Sequence, residues 1–89
     1  MAVILAVEDD EFILEYLGWT LEDIGHISLL ASDMAQALTH LSAQHHIDIL
    51  FVDIRLNSLE FGGYEVADHA IALRPHLPVL YTSGSSHSE

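Results

Sequence analysis

The chain has 89 residues, fourteen Asp and Glu against two Arg, no Lys and no Cys, and a formal net charge of −12. That length confines it to one small domain, residues 1–89, and the missing cysteines exclude disulfides, thiolate metal sites and a cysteine nucleophile. The acidic balance repels phosphate backbones and anionic bilayers, so neither nucleic acid nor a membrane is an expected partner, and cytoplasmic residence is the expectation because the apolar opening lacks a basic flank and a cleavage site.

Residues 2–7, AVILAV, form an unbroken apolar run, the pattern of a strand buried on both faces of a parallel sheet. From Asp10 the period becomes helical. Ile13, Leu17, Leu21 and Ile24 form an apolar stripe, widened by Phe12, Tyr16 and Thr20, with Asp10 as cap and Gly25 as stop. A second strand is expected over Ile27–Ala31. Ser32 or Asp33 then caps a helix to about Gln44, with Ala35, Leu38 and Leu41 inward. The most apolar strand covers Ile47–Ile54 and ends near Asp53. After a loop with Asn57, Ser58, Gly62 and Gly63, a third helix spans Tyr64–Leu73, its stripe Val66, Ala67, Ala70, Ile71 and Leu73. Pro75 and Pro78 precede a fourth strand, Val79–Ser83.

Strands alternating with helices predict a parallel sheet with helices on its faces, and in such sheets sites lie beyond the C-terminal strand ends. Glu8 and Asp9 follow the first strand, Asp53 ends the third, and Thr82 and Ser83 end the fourth, so the fold collects them along one edge. Four consecutive acids, Glu8 to Glu11, are costly unless something offsets their repulsion. Two readings stand open at this point. One is a solvated turn whose acids cap a helix and meet its positive end, which suits Asp10 and Glu11. The other is a magnesium site, in which Asp9 and Asp53 supply two carboxylates, Glu8 acts through water, and the backbone carbonyl of Arg55 adds an oxygen.

The stretches VILAVEDDEF, DILFVDIRL and GGYEVADHAIALRPHLPVLYTSG, in order over the whole chain, resemble the receiver domain of two-component response regulators. The resemblance implies a flavodoxin-like, doubly wound parallel sheet of strand order 2-1-3-4 with three helices. It implies that Glu8 and Asp9 bind Mg2+ (or Mn2+), that Asp53 accepts a phosphoryl group from a sensor histidine kinase or phosphotransfer protein, and that Thr82 contacts that group and reports its arrival. Such a module is not an enzyme with a separate substrate.

The sequence also departs from the family. The loop IRLNSLEFGGYE lacks the usual proline near Asn57. The family's fifth strand, its last two helices, its phosphoryl-binding lysine and its aromatic switch residue have no counterpart, so the chain reads as a receiver truncated after the fourth strand, in which phosphorylation is slow. Arg55 is expected to pair with a surface acid such as Glu60, and Arg74 to lie far from the site. An open fourth-strand edge and an uncovered first helix predict a homo-oligomer. An alternative function is a pseudo-receiver that associates without phosphorylation. Adjacent His45 and His46, at a helix end, are not expected to face the same way or to share a metal, and Tyr16 and Trp19 are expected to pack.

Overall fold

The computed structural model describes residues 1–53 and 63–82. Its elements run β1 (Val3–Val7), α1 (Glu11–Asp23), β2 (Ile27–Ala31), α2 (Met34–Ser42), β3 (Ile49–Asp53), α3 (Gly63–Leu73) and β4 (Val79–Thr82). The four strands form one parallel sheet in the order β2-β1-β3-β4, the flavodoxin-like arrangement expected. Ser83 and Ile54, expected to close strands, lie outside the described residues, as does the loop after Asp53 with Arg55, Asn57 and Glu60.

Continuous apolar runs became strands because α2 and α3 cover one face of the sheet and α1 covers the other over β1 and β2. Leu5, Val7, Leu50 and Val52 face α2 and α3 and are fully buried with Ala37, Leu41, Val66 and Ala70. On the opposite face α1 lies over β1 and β2, and Leu14, Ile4 and Ala6 are buried there. Burying such apolar area is the main favourable term in folding, on the order of 25 cal/mol per Å².

The helix faces differ from the expected stripes. In α1 the inward positions are Leu14, Leu17, Gly18 and Leu21, a set at the i, i+3, i+4, i+7 spacing, whereas Ile13, Phe12, Tyr16, Trp19 and Ile24 are exposed. Gly18 explains the rotation. A Cβ built there would stand 3.0 Å from Leu30 Cδ1, so the bare backbone lets the helix ride close to β2. A stripe read from side-chain hydropathy skips a glycine, and so misses the contact that sets the helix phase. In α2, Ala37 is buried and Ala35 exposed; in α3, Ile71 and Leu73 are half-exposed while Val66, Ala67 and Ala70 are buried.

The helix ends follow local chemistry. Asp10 caps α1, its carboxylate accepting from the backbone N–H groups of Phe12 at 2.9 Å and Ile13 at 3.2 Å. The C-terminus is closed by the N–H of Gly25 bonding Glu22 O and that of His26 bonding Leu21 O, with Gly25 at φ 94°, where L side chains are strained. Asp33, not Ser32, caps α2 through the N–H of Gln36 at 2.8 Å, while Gln36 Oε1 accepts from Ser32 N. α2 stops at Ser42 rather than Gln44, because Ala43 turns extended and Arg74 reaches across from the end of α3. Its guanidinium donates to Leu41 O at 3.1 Å and Ala43 O at 2.8 Å. Arg74 is thus a helix cap, away from the acidic edge as expected.

Candidate functional site

Strand register assembles the site. Ala6 pairs with Phe51 and Val7 with Val52, so the next step along β1, Glu8, comes level with Asp53, which itself pairs with Thr82. Glu8 holds its place because its N–H donates to Ala31 O at 3.1 Å, extending the β1–β2 ladder by one bond. Glu8, Asp53 and Thr82 therefore lie in a row across the C-terminal edge of the sheet. Asp9, just past the end of β1, is exposed, whereas Glu8 and Asp53 are buried, 6% and 7% accessible. Glu8 packs against Asp53 and is also hydrogen-bonded to Asp9, so the three acids expected at the metal site lie together.

The electrostatics follow. Burial is the largest cause pushing the Glu8 carboxyl up from 4.5 to about 7. Hydrogen bonding to Asp53, the charge of Asp53 and a hydrogen bond with Asp9 push the same way, and the N–H of Asp10, donating to Glu8 Oε2 at 3.0 Å, opposes them. In the absence of a cation, one proton therefore stays between Glu8 and its acidic neighbours up to about pH 7.

A stability effect comes with that proton. The native carboxyl keeps it up to about pH 7, and the unfolded one loses it near 4.5. Between those values the native state binds more protons, so stability falls as pH rises through the window. Melts in metal-free buffer should show this decline, and Glu8→Gln, which carries no charge at any pH, should flatten it. An unchanged slope in the variant would assign the decline to another group.

The donor set suits a hard divalent cation, since every candidate ligand is an oxygen. A cation among these carboxylates would take the place of the shared proton. Among the described residues no three His, Asp or Glu side chains already converge as a cage. Magnesium needs no such cage, because it keeps several waters and takes one or two carboxylates. Glu8, Asp53 and Asp9 are the residues able to hold it; the Arg55 carbonyl, also expected to take part, lies outside the described residues. Among the described residues no helix is long and apolar enough to cross a membrane.

Comparison with known proteins agrees with this arrangement. The family model for the response regulator receiver domain matches residues 4–89. No curated protein matches the sequence. A CheY-like response regulator receiver domain protein from Methanospirillum hungatei JF-1 superposes with a TM-score of 0.83 at 25% identity, covering 98% of this chain and 67% of that one. A receiver protein from Sinorhizobium medicae WSM419 gives 0.76 at 30% identity, covering 90% and 64%. The response regulator TrrA from Thermotoga maritima, solved in complex with Mg2+ and BeF, gives 0.81 at 26% identity, covering 98% and 73%. The chain thus spans about two thirds of the length of the first of these structures.

Proposed function

This chain belongs to the response regulator receiver domain family, and from that premise we propose that it takes a phosphoryl group from a sensor histidine kinase or phosphotransfer protein onto Asp53, with Mg2+ or Mn2+ at the acidic edge. The observation that carries the reading is the buried pair Glu8–Asp53, level with Thr82 at the C-terminal end of a parallel sheet.

Each residue has a task. An Asp53 carboxylate oxygen attacks phosphorus in line; the bond from phosphorus to the donor's imidazole nitrogen breaks, its electron pair stays on that nitrogen, and an acyl phosphate forms on Asp53. A divalent cation bound at this edge would neutralise charge on the transferring oxygens. Glu8 and Asp9 would hold that cation, for which Glu8 would have to give up its proton. The Thr82 hydroxyl, in register with Asp53, donates to a phosphoryl oxygen and so registers its arrival. Because carboxylate is a weak nucleophile, positioning does most of the catalysis. The protein modifies itself and turns over no separate substrate, in keeping with a signalling module of the cytoplasm.

Acetyl phosphate with Mg2+, followed by intact mass, tests the proposal: one phosphoryl adduct is expected. No adduct, under any divalent cation, would sink it and leave the pseudo-receiver reading, an interaction module with the same fold.

We also propose self-association. β4 pairs with β3 alone among the described strands, leaving Leu80 and Tyr81 about half exposed, and α1 presents Phe12, Ile13, Tyr16 and Trp19 to solvent. Leu17 and Leu21, expected to be uncovered with Ile13, are instead half-buried against the sheet. The charge of −12 opposes association, so it should strengthen as salt is raised. Sedimentation across concentration and salt measures this, and a monomer persisting at high concentration and moderate salt would refute it.

A further inference from the structure

Histidines have no part in the phosphoryl chemistry, yet three of the seven fall in one short stretch: His40, His45 and His46. Since α2 ends at Ser42, His45 and His46 are not neighbours on a helix, and helical spacing does not decide what they face. His46 is committed to Asp48, its Nε2 standing 2.6 Å from a carboxylate that also accepts the backbone N–H of Val3 at 2.7 Å. His45 meets His40 instead, the ring centroids 5.8 Å apart and the planes inclined at 46°.

His40 has one ring nitrogen engaged. Its Nε2 lies 3.0 Å from Leu30 O, on the edge of β2 that pairs with no strand among the described residues. A carbonyl oxygen only accepts, so Nε2 carries the hydrogen and Nδ1 of the neutral ring keeps its lone pair. Metal-bound histidines are arranged in this way, the second ring nitrogen donating to a carbonyl that fixes tautomer and orientation. With metal–nitrogen distances of about 2.1 Å, two rings on one ion place their centroids roughly 5–6 Å apart, the span in which the pair stands. Plain ring packing also reaches this distance; the tautomer fixed by Leu30 O leaves His40 Nδ1 able to accept a metal. The carbonyl end of α2 contributes no attraction for a cation, because Arg74 already occupies Leu41 O and Ala43 O.

We propose that His40 and His45 hold a borderline divalent ion of the zinc class, Zn2+ or Cu2+, through His40 Nδ1 and one ring nitrogen of His45, with water completing the coordination. Imidazole selects such ions, whereas the all-oxygen edge at Glu8 and Asp53 suits Mg2+ or Mn2+. The chain then carries two cation sites of different ligand chemistry, and the histidine site ties the α2–β3 connection to the edge of β2.

Zinc titration of 15N-labelled protein in Mg2+-containing buffer, followed through the imidazole nitrogens, tests this. One equivalent of Zn2+ should shift His40 Nδ1 and one nitrogen of His45 and leave His69 and His76 in place. Zinc affinity should fall roughly tenfold or more in His40→Gln and in His45→Gln, and stay unchanged in His69→Gln. His45 is exposed, so its variant folds and reads binding alone. Unmoved His40 and His45 signals, full affinity in the double variant, or zinc shifts confined to residues 8–10 and 53 would each overturn the assignment.

Discussion

Asp53→Asn should abolish the proposed phosphoryl adduct and at the same time make the protein harder to unfold. The two effects share one cause. Asp53 is buried beside Glu8, and its charge and hydrogen bond help hold the Glu8 carboxyl near 7. Asparagine has nearly the same shape but neither a nucleophilic oxygen nor a charge, so the chemistry stops while the like-charge strain is relieved. Glu8 should then titrate nearer its ordinary value. The gain in stability should also be larger at about pH 8, where wild-type Glu8 is ionised beside Asp53, than at about pH 5, where it is protonated. Intact mass after acetyl phosphate reads the first effect. Metal-free urea melts at the two pH values read the second, with a rise of a few degrees in Tm as the thermal counterpart. An adduct retained in the variant would move the acceptor elsewhere. A variant less stable than wild type at the higher pH would mean that Asp53 serves the fold.

The strands could be read because both faces of a parallel sheet are covered. AVILAV and most of IDILFVDI need little phase information: their described residues are buried or half-buried on both sides of the strand. Helices do need phase, and there the reading slipped. In α1 the eye follows Phe12, Ile13, Tyr16 and Trp19, whereas the contact that orients the helix is the missing side chain of Gly18 against Leu30. In α2, Ala35 and Ala37 are chemically identical, and only the sheet beneath decides which one is buried. The acidic edge was legible because parallel strands bring their C-terminal ends together. That Glu8 comes level with Asp53 depends on register, which the sequence does not print: Val7 lies opposite Val52. A count along the strand from an assumed pairing would have given the same answer, had the pairing been known. The His40–His45 contact had no signal in spacing, because it depends on where α2 ends, and that end is set by Arg74 from another helix.

The second large effect lies under the sheet. Leu50 is fully buried in β3, paired with Leu5 on one side and Val79 on the other, its N–H donating to Pro78 O at 2.9 Å. Leu50→Ala removes three carbons from a site whose neighbours are held by backbone ladders on both sides, so collapse around the void is limited. Such truncations cost about 2–5 kcal/mol. A domain of 89 residues has roughly 4–13 kcal/mol in total, so a large share of the stability goes with one side chain. Leu80→Ala, at a position 49% exposed on β4, should cost well under half as much. The phosphoacceptor should hardly notice the cavity in molecules that remain folded. Leu50 and Asp53 are an odd number of residues apart and point to opposite faces, Leu50 toward α2 and α3, Asp53 to the side of Glu8 and α1. Urea unfolding should therefore show a much lower midpoint with an unchanged slope, while the phosphorylation rate per folded molecule at low denaturant stays near wild type. If that rate fell along with the midpoint, the two faces of β3 would be coupled, and the site would owe its geometry to the core beneath it as well as to the register of the strands.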